Sequence, residues 1–187
     1  MKKIQNIFIY SCSIILTVML SSCTNDRDSF VAAPIDDTAQ IAYDGASAVV
    51  GSQLYNDFNK TPGYDGPSDP NVNQDDISNF SDFYRCKSCH AWDLKARYAS
   101  YINRGPKIDR PDVSEVQLVN LGDADISSLF DKIKNTGGAA VDPQRTADGR
   151  EPSLGGNEHP DYGTILTDQQ IWDLVKFLKE GAFDVDQ

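Results

Sequence analysis

The apolar residues of this chain gather in a few stretches with different spacing, and each spacing predicts a different element. An apolar stretch begins near Ile7 and centres on Ile14 to Leu20, just after Lys2 and Lys3. From about 24 to 43 no period is sustained, and Asp, Thr, Ala and Pro34 recur. Between Asp44 and Phe58 the residues Val49, Val50, Leu54 and Phe58 return at helical spacing, with Tyr55 beside Leu54, which predicts an amphipathic helix. Gly51 sits inside it, where glycine costs stability, so a close packing contact is expected there. Lys60 to Ser81 holds Pro62, Gly63, Gly66, Pro67 and Pro70 and reads as a loop. Ile126, Leu129, Phe130 and Ile133 form a second helical face, ended by Gly137. A polar loop from about 138 to 163 follows. The last helix has the clearest signals. Thr167-Asp168-Gln169-Gln170 is a capping box, Ile171, Leu174, Val175 and Leu178 make one stripe flanked by Trp172 and Phe177, and Gly181 ends it. The stripe reads as core, packed on the first helix. No strand alternation of useful length occurs, so the fold class expected is all-α.

The N-terminal run is too short for a comfortable membrane span and, behind two lysines, reads as a signal peptide over 1–22. Its end, Leu20-Ser21-Ser22-Cys23, resembles a bacterial lipobox. The resemblance implies cleavage before Cys23 and lipidation of that cysteine, and several acyl chains together anchor stably. A plain secretory peptide with a chance cysteine is the alternative. The division expected is therefore a lipidated tether over 23–43 and a folded domain over 44–187. Asn25-Asp26-Arg27-Asp28 resembles the acidic tract of some surface lipoproteins. The location expected is the bacterial cell envelope, facing the periplasm or on the outer membrane.

Charge narrows the partners. The 187 residues carry a formal net charge of -11, and without Lys2 and Lys3, 15 basic residues face 28 acidic ones, a net of -13. Nucleic-acid binding needs clustered cations, so nucleic acid is excluded as a partner. The acidity suits a partner with a basic docking surface, or it simply keeps an exported domain soluble.

The cysteines bring in chemistry. Cys12 leaves with the signal peptide and Cys23 takes the lipid, which leaves Cys86-Lys87-Ser88-Cys89-His90. This C-x-x-C-H run is the signature of c-type haem attachment. Two thiols at that spacing reach the two vinyl groups on one edge of the porphyrin, and His90 follows as the proximal iron ligand. A structural zinc site would need a second Cys/His pair, and a thioredoxin-type pair would need a strand–helix context. Neither is present in the sequence. The only methionines, Met1 and Met19, fall in the signal peptide, and the only other histidine is His159. His159 is thus the candidate for the sixth iron position. The alternatives are a surface histidine beside a five-coordinate or water-bound iron, or a lysine or tyrosine ligand.

The run Tyr84-Arg85-Cys86-Lys87-Ser88-Cys89-His90-Ala91-Trp92-Asp93 resembles class I-like mono-haem cytochrome c domains with an R-C-K-x-C-H-G-W-D core. Gly51, Leu54 and Tyr55 match the G-x-x-L-Y helix that precedes that core. Ala91 stands where those domains have glycine, a small change. The resemblance covers about 44 to 181 and implies the cytochrome c fold, one covalent haem c and single-electron transfer. It implies that the first and last helices cross at Gly51. It places the second ligand before a proline shortly ahead of the last helix, where His159-Pro160 stands. Bis-histidine ligation by His90 and His159 follows, with a lower potential than a methionine-ligated relative. Gly105-Pro106 suggests Pro106 as the carbonyl that accepts the His90 ring N–H. Arg97, Tyr98, Tyr101 and Arg104 are candidates for holding the haem propionates. The 60–81 segment is an insertion relative to most small cytochromes c. With one haem motif and no second cofactor motif, the chain reads as a carrier rather than an enzyme. The competing readings are an electron-transfer subunit of a larger envelope oxidoreductase and a gas sensor with an open sixth position.

Overall fold

A computed structural model describes residues 37–100, 113, 116–138, 159–182, 184 and 186. They lie within one unit, Asp36–Gln187. The expected signal peptide, Cys23, Tyr101, Arg104 and Pro106 lie outside the described residues.

Among the described residues seven α-helices run in chain order: α1 (Asp37–Gly45), α2 (Ala48–Asp57), α3 (Gln74–Asn79), α4 (Ser81–Tyr84), α5 (Cys86–His90), α6 (Ile126–Lys134) and α7 (Asp168–Lys176). Short 3-10 turns follow α2 at Phe58–Lys60 and precede α7 at Tyr162–Thr164, and α7 ends in a π-helical turn, Phe177–Gly181. Among the described residues the only β feature is an isolated bridge residue at Pro160. The all-α expectation holds.

The closest helix pair is α2 on α7. Gly51 lies at the crossing. A Cβ there would overlap the backbone carbonyl of Asp173 and come within 2.8 Å of the Phe177 Cβ. The predicted crossing at a glycine is what packs the two helices. Asp173, buried, accepts a hydrogen bond from the Ser47 N–H at 2.7 Å and so ties α7 to the start of α2. At α7's own start Thr167 and Gln170 form the predicted capping box. The whole predicted stripe, with Trp172 and Phe177, is buried.

Four local expectations change. The first helix breaks at Ala46–Ser47, and α1 covers 37–45, residues read from sequence mostly as tether. Only Tyr43 of α1 is buried, against Trp172 and Val175, while Ile41 is 70% exposed, so α1 has almost no apolar period. On α2 the buried face is Gly51, Leu54 and Tyr55, continuing to Phe58, whereas Val49 is exposed. The 60–81 insertion holds α3, begun by the Asn73 side chain on the Asp75 N–H and anchored by fully buried Ile77. Finally, α6 stops at left-handed Asn135 (φ 48°, ψ 46°), two residues before Gly137.

A haem-sized apolar pocket between two histidines

The attachment motif folds as α5. Arg85 is extended ahead of it (φ -72°, ψ 125°), so the chain turns into one short helical coil that carries both cysteines and His90. The chain then leaves through Ala91 at φ 56° and ψ -178°, a conformation nearly reserved for glycine. Leu94 and Ala96 also have positive φ. This tight return lets the Ala96 N–H reach the His90 carbonyl at 3.1 Å. The buried Tyr55 hydroxyl donates to the Ala91 carbonyl, which locks α2 to the turn. Ala91 is therefore a costly replacement for glycine, rather than a small change.

Cys86, Cys89, His90 and His159 all line one pocket. Its remaining walls are largely apolar: Tyr55 from α2, Phe83 from α4, Val113, Leu118, Ile133 from α6, Pro160, Tyr162, and Leu174 and Leu178 of the last helix. Counting its open mouth, it encloses about 610 Å³ of empty space. Tyr162 bridges its two sides. Its hydroxyl donates to the Tyr84 carbonyl at 2.5 Å, next to the cysteine helix, and its ring lies 5.2 Å from that of His159.

The electrostatics suit neutral ligands. Burial pushes His90 down to about 4, and neighbouring His159 adds to the shift. Burial also lowers His159, partly opposed by its backbone contact with Pro160. Both imidazoles are thus neutral at pH 7, the form that binds iron. The Nδ1 atoms of both rings are buried and lack a hydrogen-bond partner among the described residues, a cost that needs an explanation in a native site. Cys86 is pushed up to about 12, chiefly by burial. A dithiol redox pair needs the opposite shift, towards thiolate. These residues fit haem c: two thiols on one short helix, two neutral imidazoles and apolar walls.

Some expected participants stand elsewhere. Arg97 binds Asp93 at 2.9 Å and Asp186 at 2.8 Å, so its charge is committed away from the pocket. Tyr98 is 80% exposed under the Arg97 guanidinium. The cation at the pocket wall is Arg85, held by buried Asp57 at 3.0 Å and by Asp82. Sequence reading gave no site role to Arg85, Tyr162, Leu174 or Leu178. The last two were assigned to core, and they are, on the side of the core that faces the pocket.

Comparison with curated proteins and with solved structures returns no match. Comparison with protein families matches the family described as Cytochrome c over residues 80–182. That match spans more than half of the chain and includes α4 to α7, the attachment motif and His159. The chain belongs to the cytochrome c family, whose members bind haem c covalently and use its iron to transfer electrons to and from redox partners.

Proposed function

We propose that this protein is a lipid-anchored, single-haem electron carrier whose iron is held between His90 and His159. The observation that carries the reading is the convergence of Cys86, Cys89, His90 and His159 on one apolar pocket. When bound, haem c supplies a one-electron ferric/ferrous couple. Cys86 and Cys89 would hold it by thioether bonds, and His90 and His159 would ligate its iron.

The chain's residues prepare this chemistry in three ways. Leu174, Leu178, Phe83 and Tyr55 keep water from the pocket, so little solvent must reorganise when charge changes. Two imidazole ligands and a net charge of -11 both favour the oxidised state, which sets a low potential. Two protein ligands also leave no open position for oxygen or carbon monoxide, which separates a carrier from a sensor. The acidity and the export signal ending at Cys23 support an envelope location and a partner with a basic docking surface. Among the described residues no helix is long and apolar enough to cross a membrane.

The test is His159→Ala. The variant should show a high-spin ferric spectrum and should bind carbon monoxide when reduced, whereas the parent should do neither. Identical spectra in parent and variant would remove His159 from the iron.

A further inference from the structure

We infer that Asn135 clasps the backbone of His159 and so acts as a positioning residue for the second axial ligand; this rests on the bis-histidine reading above. Asn135 ends α6 in the left-handed conformation, one that asparagine tolerates among non-glycine residues. From there its side-chain amide donates to the His159 carbonyl at 2.5 Å and reaches the Pro160 carbonyl at 3.5 Å. A second bond runs in the same direction. The Gly137 N–H donates to the Oδ2 of buried Asp161 at 3.0 Å. The stretches 135–137 and 159–161 are therefore tied together. Gly138 makes this possible, since a Cβ there would overlap the Asn135 amide nitrogen.

The other side of the same turn is also held. Ser68 Oγ donates to the Gly163 carbonyl at 2.7 Å, and the Asp69 N–H to the Thr164 carbonyl at 3.0 Å. The 60–81 insertion thus braces the turn that follows His159. With its backbone fixed from α6 and the following turn fixed from the insertion, the His159 imidazole keeps only its two side-chain torsions. Asn135 does not line the pocket, so it acts through the His159 and Pro160 backbone. Partners that orient a metal-bound histidine commonly matter nearly as much as the ligand.

Asn135→Gly and Asn135→Asp test this in the haem-loaded protein, with His159→Ala measured in parallel. Glycine accepts the left-handed turn better than asparagine, and aspartate tolerates it, so the helix end survives in both. Neither can donate to the His159 carbonyl. The expected result is faster amide exchange over Asp161–Leu166 and about a tenfold rise in the open-iron population, read as carbon monoxide binding and ferric high-spin signal, as for the loss of one part-buried hydrogen bond. The urea midpoint should fall by no more than the loss of that one bond accounts for. Parent-like exchange and parent-like carbon monoxide binding in both variants, while His159→Ala opens the iron, would overturn the clasp and leave the ligation intact. If His159→Ala itself has parent-like spectra, the ligation reading fails and the clasp fails with it as a positioning device.

Discussion

Ala91 shows how one methyl group is set against function. It must reverse the chain directly after His90, at φ 56° and ψ -178°, with its carbonyl held by Tyr55 and its side chain buried. Ala91→Gly should relieve that strain. The gain should be about 1 kcal/mol, because the greater freedom of glycine in the unfolded chain offsets part of it. The check is the urea unfolding midpoint at fixed haem content; a lower midpoint would show that the alanine is unstrained. At this scale the pocket residues were partly legible. Cys86, Cys89 and His90 announce themselves by spacing, and His159 by the lack of any other His or Met after residue 22. Asn135 was not legible, since its role depends on a left-handed helix end and a partner 24 residues later. Nor was the commitment of Arg97 to Asp93 and Asp186, because nothing in the local sequence says which carboxylates the fold brings near.

Among the elements, α2 and α7 form the frame, and Gly51 decides their distance. Gly51→Ala should lower stability by about 2 kcal/mol, even though alanine improves helix propensity by about 1 kcal/mol, because the added methyl meets the Asp173 backbone and not a flexible side-chain end. Chemical denaturation of the haem-bound protein measures this, and a rise in stability would contradict the crossing. α7 could be read from sequence because its cap, stripe and length all agree. Of the helices missed, α1 and α3 each bury a single large apolar residue, Tyr43 and Ile77. A lone anchor produces no period. Their stability comes from tertiary partners: Lys176 reaches the Tyr43 and Asp44 carbonyls at the end of α1, and Tyr43 donates to Glu180 at 2.6 Å.

For the whole molecule, the pocket is part of the core. Leu174 and Leu178 belong both to the main cluster around Leu54 and Phe58 and to the pocket wall. A group that fills the pocket therefore completes the core, and a modest domain depends on it. Protein made without haem should lose most of its helical circular dichroism and its cooperative thermal transition; a folded apo-protein with full helix content would show that the helices hold without the cofactor. The family match and the pocket together account for what the chain carries.

A haem bound covalently through Cys86 and Cys89, with its iron held by the imidazoles of His90 and His159, has a distinctive ferric spectrum. Electron paramagnetic resonance of the mature ferric protein, purified with its porphyrin still attached after acid denaturation, tests that arrangement most directly. The account predicts a low-spin signal of the bis-imidazole type at neutral pH, with negligible high-spin intensity. A dominant high-spin signal, or a porphyrin that separates from the polypeptide in acid, would contradict it.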